Sequence, residues 1–359
     1  MDAAVGHSHL EDPREALDQV RAQVGAALGG PADWGVLFAT SSFAAELAPW
    51  VRRLGCSALV GGSTTGVITC DGEHAHRHGV GLLAVRGVSA RARLVSDAAG
   101  LRAALAPPAA LRVVLADPRQ LDPAMVEALG AAPHALVGGG VTGDAELFVA
   151  TNQATGEGLM AACAVNGLRA QRAVAQGAEP VSAFMPVTRA RGSAVLELGG
   201  VPATLALRSY VGDRALPAAQ LPNLLFAALR RPGEAGYAVR PIVGIDEAAG
   251  ALRLFDGSPS PGTLLAFAWR ESLSARRALE AALAELHADP SPIRAALYFN
   301  CAGRGEALHP WPDADVAQIR AALPGVPLLG MSSAFELAPV DARNRVLMYA
   351  GVLVALRDP

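Results

Sequence analysis

The sequence predicts an α/β protein with mixed sheets, arranged in two related halves. Three observations support this fold class. A glycine-rich turn of similar sequence occurs three times along the 359 residues. A short apolar segment, typical of a buried strand, comes directly before each turn. A further apolar strand and a helix-like segment come before that, so we predict a repeated module of strand, helix, strand, glycine turn and strand.

The three turns combine glycine with small residues between apolar runs. They are residues 59–67 (LVGGSTTGV), 136–144 (LVGGGVTGD) and 328–336 (LLGMSSAFE). Glycine permits close approach of the backbone, and serine and threonine can hold a tight turn by bonding neighbouring backbone groups. Tight packing of strands and helices would explain such turns as well as ligand binding would. We expect packing to explain two of them and one turn to line a ligand pocket.

The first two modules have the same spacing. Gly61 lies 25 residues after Val36, and Gly138 lies 25 residues after Val113. In the third module the turn begins 34 residues after Ala296, with an insertion at 303–312. Equal spacing indicates one supersecondary unit that is used more than once.

We predict three regions along the chain. Residues 1–30 form a loose tail and a helix, with Asp12 as its N-cap and Gly29 at its end. Residues 31–175 and 176–359 form two domains. Within the first domain, residues 67–88 and 147–165 each have the pattern of a hairpin.

The composition excludes several classes of function. The chain has no lysine, so all 30 basic residues are arginine, and neither a P-loop of the usual kind nor Schiff-base chemistry is possible. A net charge of −3 and an aromatic content of 5% argue against nucleic acid as a partner. No run of about 18 uncharged apolar residues predicts a membrane span, so we expect no membrane partner.

Cysteine and histidine spacing gives no strong metal motif. Cys56, Cys70, Cys163 and Cys301 form no CxxC pair, so we predict free thiols in a cytoplasmic protein and no cofactor. The candidates for a metal site are His74, His76 and His78, which alternate and would share one face of a strand. A solvated cluster at a hairpin tip is the alternative.

Several segments, in this order, carry a family resemblance. They are residues 36–43 (VLFATSSF), 60–68 (VGGSTTGVI), 135–144 (ALVGGGVTGD), 176–177 (QG), 187–188 (VT), 298–305 (YFNCAGRG) and 330–336 (GMSSAFE). Together they resemble the FIST family, a bacterial sensory module with N-terminal and C-terminal FIST domains. Residues 31–175 would be the FIST N-like domain and residues 176–359 the FIST C-like domain.

The resemblance implies a sensory function without catalysis. The implied ligand is small, with amino acids as the proposed class, and a separate signalling partner such as a sensor kinase would receive the signal. Because some relatives bind haem and sense nitric oxide, a haem-binding nitric-oxide sensor is an alternative, with His134 and His309 as single candidates for the axial ligand. The sequence departs from the family pattern at Val67 and Phe335, which puts ligand contacts at the first turn in doubt.

The loop after the third strand carries the main candidate site. Arg304 could hold a carboxylate through two hydrogen bonds, and Glu336 could receive an ammonium group, as an amino-acid ligand would need. A structural Arg–Glu pair would explain the same two residues. The other candidate ligand contacts are Asn300, Cys301, Gly303, Ser63, Thr64, Thr142 and Asp144.

A hydrolase or transferase is a further alternative. Its nucleophile would be Cys301 or a turn hydroxyl such as that of Ser63 or Thr64. No histidine base for Cys301 can be identified from the sequence, and a buried structural thiol is the simpler interpretation of that residue.

Overall fold

The computed structural model describes residues 1–132, 136–211, 224–255, 259–341 and 343–359. The chain divides into two compact units. The first consists of Met1–Ala175, Leu279–Val346 and Ala350–Pro359, and the second of Gln176–Ala278 and Leu347–Tyr349. We predicted a boundary between residues 175 and 176. The structure begins its second unit at Gln176 and returns to the first unit at Leu279.

The strands and helices are numbered in chain order. The strands are β1 (Asp2–Ser8), β2 (Ala32–Ala39), β3 (Cys56–Ser63), β4 (Val67–Thr69), β5 (Val80–Arg86), β6 (Ser89–Val95), β7 (Leu111–Ala116), β8 (Leu136–Gly140), β9 (Val149–Thr151), β10 (Thr155–Gly156), β11 (Met160–Asn166), β12 (Arg169–Gln176), β13 (Ala178–Pro180), β14 (Met185–Arg191), β15 (Ala194–Leu198), β16 (Val201–Pro202), β17 (Leu225–Arg230), β18 (Ala238–Asp246), β19 (Ala251–Leu254), β20 (Leu264–Arg270), β21 (Ile293–Cys301), β22 (Leu328–Ser333), β23 (Glu336–Val340), β24 (Arg343–Leu347) and β25 (Ala350–Arg357). The helices are α1 (Pro13–Leu28), α2 (Ala44–Trp50), α3 (Ala98–Leu105), α4 (Pro123–Ala131), α5 (Ala203–Val211), α6 (Ser272–His287), α7 (Gly305–Leu308) and α8 (Ala314–Ala322).

Each predicted module builds one mixed sheet of the first unit around a parallel pair of strands. The pairs are β2 with β3, β7 with β8, and β21 with β22. Helices α2, α4 and α8 connect the two strands of each pair. A later strand, β5, β11 or β25, then returns antiparallel to the first strand. The predicted α/β class, with mixed sheets and repeated modules, is confirmed.

A glycine occupies the same register position in all three parallel pairs. Gly61 lies opposite Leu37, Gly138 opposite Val114, and Gly330 opposite Tyr298. A Cβ atom at any of these glycines would meet the carbonyl oxygen of the residue opposite. Close backbone approach therefore explains why glycine recurs at these three positions.

The short strand after each turn joins the sheet of another module. Strand β4 of the first module pairs with β22, β9 of the second pairs with β3, and β23 of the third pairs with β8. The exchange is cyclic, so the three modules are connected in a threefold pattern. Both predicted hairpins are wrong for this reason: β4 and β5 belong to different sheets, as do β9 and β11.

An edge strand and a helix precede the first strand of each module. The edge strands β1, β6 and β12 pair with the return strands β5, β11 and β25. The predicted loose tail is wrong, because Ala4, Gly6 and Ser8 alternate as buried residues of β1. The predicted helix start is confirmed, since the Asp12 carboxylate accepts from the N–H groups of Arg14 and Glu15.

The second unit follows β12 and is a sheet that closes on itself. The strand order is β13-β20-β14-β15-β19-β18-β17, and β17 also pairs with β20. Its core contains buried side chains of the strands, such as Val195 and Phe267, and of α5, such as Leu207. In neither unit does the described part of the chain form a helix that is long and apolar enough for a membrane span.

Candidate functional site

The three glycine turns come together in the first unit. We call residues 63–66, 140–143 and 332–336 the turn junction. The N–H of Thr142 donates to the carbonyl of Ser63 (3.1 Å), which joins the first two turns. The Thr142 hydroxyl donates to the carbonyl of Ser332 (2.7 Å), and Ala334 N–H donates to the carbonyl of Gly140 (2.9 Å). These bonds join the second turn to the third.

Two of the predicted ligand contacts hold the junction together instead. Ser63 and Thr64 are completely buried. The Ser63 hydroxyl accepts from the N–H of Phe148 (3.1 Å), and the Thr64 hydroxyl accepts from the N–H of Ser332 (3.0 Å). Neither hydroxyl is open to a ligand or to a substrate, so the packing explanation holds for this part of the first turn.

The rim of the junction is open. Thr65, Thr142 and Gly143 are half-buried, and Asp144 is exposed. The hydroxyl oxygens of Thr65 and Thr142 lie 3.4 Å apart. In the described part of the chain, the N–H groups of Gly143 and Asp144 and the Asp144 carboxylate form no hydrogen bond with protein. We call Thr65, Thr142, Gly143 and Asp144 the rim. Thr65 was not among the ligand contacts predicted from the sequence, because nothing in the sequence distinguishes its hydroxyl from that of the adjacent Thr64.

Arg304 lies in a second polar group, which is buried. Its side chain is inaccessible to solvent and forms a two-point ion pair with Asp315, with distances of 3.0 Å from Nε to Oδ2 and 3.2 Å from Nη2 to Oδ1. Burial disfavours the charged Asp315 carboxylate, but the charge of Arg304 outweighs this effect and lowers its pKa below the ordinary value. A ligand carboxylate would have to displace Asp315. The structure therefore favours the structural-pair interpretation of Arg304, with Asp315 as its acid.

Three further side chains complete this group, which we call the Arg304 cluster. The Tyr298 hydroxyl lies 2.8 Å from Asp315 Oδ2 and 3.0 Å from Asn300 Oδ1. His309 Nε2 lies 3.3 Å from Asp315 Oδ1, and both side chains are fully buried. Asn300 is thus part of the cluster, and the ring of His309 is enclosed, with its Nε2 close to the Asp315 carboxylate.

Glu336 is a buried carboxylate at the end of the third turn. Its Oε1 accepts from the Ser333 hydroxyl (2.8 Å) and its Oε2 from the N–H of Ala350 (3.1 Å). Cys301, which is also buried, donates its thiol to the same carboxylate. Glu336 is therefore occupied by protein donors in this arrangement, and the thiol of Cys301 is not exposed as a nucleophile would need to be. Gly303, in the same loop, is half-buried.

Two buried carboxylates make the stability of the fold depend on pH. Burial raises the pKa of Glu336 from 4.5 to about 8. Burial, together with the charge of Asp315, raises the pKa of Glu73 from 4.5 to about 7. The Glu73 carboxylate accepts from the N–H of Asp315 (3.2 Å), so the loop of the first module contributes to the Arg304 cluster.

We expect the free energy of unfolding to fall as pH rises from 4.5 to 8. In this window the folded protein holds protons that the unfolded chain has lost, so the slope is negative, at up to about 1.4 kcal/mol per pH unit for each group. Urea unfolding between pH 5 and 8 measures the slope, and Glu336→Gln should flatten it. Glu306→Gln removes an exposed carboxylate from helix α7 and is the control. An unchanged slope in Glu336→Gln would contradict the assignment.

The three histidines that alternate in sequence do not share one face of a strand. His74, His76 and His78 lie on a loop, and the positive φ angles of His74 (42°) and His76 (56°) exclude the strand that would align them. His74 packs on His9, with ring centroids 4.3 Å apart, while His78 stacks on Phe43 at 4.6 Å. Among the described residues, no three His, Cys, Asp or Glu side chains are placed to hold a metal ion. His134 lies outside the described residues.

Comparisons with known proteins give matches along most of the chain. The FIST N domain matches residues 33–201, and the FIST C domain matches residues 203–339. Uncharacterized protein Mb0898c of Mycobacterium bovis is 32% identical over 189 residues, which are 50% of this chain and 48% of that protein. Uncharacterized protein Rv0628c of Mycobacterium tuberculosis is 32% identical over 222 residues, 58% of this chain and 55% of that protein. The chain thus spans about half the length of the curated relatives it matches.

Proposed function

Because the chain belongs to the FIST-domain family, whose members are small-ligand sensory domains, we propose that it is a cytoplasmic, non-catalytic sensor of an amino acid or related small carboxylate. The rim of the turn junction is the site that supports this proposal best. It combines two half-buried hydroxyls, two backbone N–H groups without a protein acceptor, and one exposed carboxylate.

These groups match the two ends of an amino acid. Adjacent backbone N–H groups and hydroxyls bind a carboxylate well, and here the N–H groups of Gly143 and Asp144 and the Thr65 hydroxyl would supply them. The Thr142 hydroxyl donates to Ser332 and accepts from the N–H of Thr65, so it would hold Thr65 in place. The Asp144 side chain would accept the ammonium group. In this proposal the ligand meets backbone and hydroxyl donors, and Arg304, Glu336, Asn300 and Cys301 support the junction from inside.

The threefold exchange offers a route from binding to signal. The rim joins the turns of two modules, and the third turn is bonded to both. A ligand that fits one arrangement of these turns better than another would shift the population toward it. A separate partner protein, such as a sensor kinase, would read that change.

A thermal-shift screen against the common amino acids, small carboxylates and haemin tests the proposal. A ligand at about 100 times its dissociation constant should stabilise the protein by roughly 2.7 kcal/mol and raise Tm by roughly 5–10 °C. Thr65→Val, which removes a rim hydroxyl, should reduce the shift. Thr155→Val, at a half-buried threonine outside the junction, is the matched control.

The screen has two outcomes that count against the proposal. No shift with any amino acid or carboxylate at millimolar concentration would remove the ligand class. A shift and a Soret band with haemin alone would favour the haem-binding nitric-oxide sensor instead. A shift that Thr65→Val and Asp144→Asn both leave unchanged would keep the ligand class but move the site away from the rim.

A further inference from the structure

A cavity of about 560 Å³ lies beside the edge of the third sheet in the first unit. This volume is within the range of small-molecule pockets. The charged and amide side chains that line it are Arg169, Gln171, Arg172, Asp289, Asp341 and Arg357. Three arginines and two aspartates give the lining an excess of one positive charge.

Arg357 is a buried cation whose hydrogen bonding is incomplete. The residue is 1% exposed. Its Nη2 donates to the carbonyl of Leu286 (2.6 Å) and to Gln171 Oε1 (3.2 Å). Its Nε and Nη1 are also buried, but among the described residues neither has a hydrogen-bond partner. Leaving N–H groups of a buried charge without acceptors is costly, so this position calls for an oxygen ligand.

The nearby carboxylate of Asp289 does not supply the missing hydrogen bonds of the Arg357 guanidinium. Asp289 Oδ2 lies 3.8 Å from Arg357 Nε, too far for a hydrogen bond. The Asp289 carboxylate is bound by the N–H and hydroxyl of Ser291 and by Arg169 Nη1 (3.0 Å). Hydrogen bonds from Ser291 lower the pKa of Asp289 to about 2, so Asp289 is negatively charged at neutral pH and is part of the cavity lining. Arg169 is fixed in turn by the carbonyl of Asp358 (3.0 Å).

We propose that this cavity binds the carboxylate or phosphate group of a small molecule, with Arg357 as the anchor. The N–H groups of Nε and Nη1 point in different directions, so each can donate to a separate oxygen atom in the cavity, and such charge-assisted hydrogen bonds suit a carboxylate or phosphate. Arg172 adds a second positive charge to the lining. The single positive excess of the lining suits a ligand with one or two negative charges.

This anion site is separate from the turn junction. Arg357 pairs with Ile293 at the beginning of β21, whereas the junction lies beside Cys301 at the end of the same strand. Nine residues of a strand span about 26 Å at 3.3 Å per residue. The proposal therefore does not rest on the function proposed for the rim.

Isothermal titration calorimetry with inorganic phosphate and with succinate, at matched ionic strength, tests the anion site. We expect saturable binding of at least one probe, with one site per chain. Arg357→Lys keeps the charge but loses the N–H groups of Nε and Nη1, and should weaken binding roughly tenfold or more, as expected when hydrogen bonds to a charged group are lost. Arg172→Gln, at the cavity wall, should also weaken it and serves if Arg357→Lys does not fold.

Arg86→Lys is the matched control, because Arg86 ends the return strand of the first module and pairs with exposed Asp2 (2.9 Å). It should leave the affinity unchanged, as should Thr65→Val. Binding of phosphate alone would identify a phosphate-bearing ligand, and binding of succinate alone a carboxylate. No saturable binding of either probe, or equal affinities in wild type, Arg357→Lys and Arg172→Gln, would overturn the proposal.

Discussion

Replacing Asp315 with alanine is expected to lower the free energy of unfolding by about 3–5 kcal/mol. The change leaves the Arg304 guanidinium fully buried without its two-point partner, and it removes one of the two acceptors near the Tyr298 hydroxyl. A buried charge without a partner costs far more than an ion pair contributes when both members are present. Urea unfolding monitored by circular dichroism at pH 7 measures the loss.

The matched control is a surface pair of the same chemistry. Asp18 bonds Arg21 at 3.0 Å, with about half of each side chain exposed, so Asp18→Ala should cost about 0–1 kcal/mol. The double variant Arg304→Met/Asp315→Leu removes both charges and should recover part of the stability lost in Asp315→Ala. If Asp315→Ala cost no more than Asp18→Ala, the pair would not hold the cluster in place as we infer.

The modules were predictable because their signals are local. Gly61 and Gly138 follow their first strands at equal spacing, and this spacing reflects a strand, a helix and a parallel strand that are adjacent in the chain. The helix start at Asp12 is equally local, since the capping carboxylate accepts from the N–H groups two and three residues further along the chain. These features depend on backbone sterics and hydrogen bonds within a short segment.

The exchange of strands between modules was not predictable in the same way. Residues 67–69 pair with 329–331, and residues 336–337 pair with 138–139. An apolar run shows that a strand is buried, but it does not show which distant strand completes the ladder. The hairpin pattern was therefore assigned to neighbours in sequence. Strand β1 was missed because its buried face consists of Ala4, Gly6 and Ser8, which give almost no hydrophobic signal.

The sequence predicted which kinds of residue matter at the site, but it did not predict which residues pair with each other. Arg304 was identified as a cation that needs a carboxylate, and Glu336 was the acid in the recurring turn. Asp315 lies just after the insertion and on the first turn of α8, where an acidic residue is ordinary, so nothing distinguished it in the sequence. A fully buried arginine requires an acid nearby, and that rule would have drawn attention to Asp315 once burial of Arg304 was known.

The substitution Gly138→Ala is expected to cost about 3 kcal/mol or more, and to prevent folding if the parallel pair cannot separate. Gly138 has φ of 149°, and an added Cβ would overlap the carbonyl oxygen and carbon of Val114 in the neighbouring strand. Both atoms belong to the backbone of paired strands, so neither can move without breaking the β7–β8 pairing.

Gly25→Ala in helix α1 is the control, because a Cβ atom added there meets nothing within 4 Å. This substitution should stabilise the protein by about 0.5–1 kcal/mol. Thermal and urea unfolding of both variants decide the matter: a Gly138→Ala protein as stable as wild type would show that close backbone approach is not what fixes the repeated glycine.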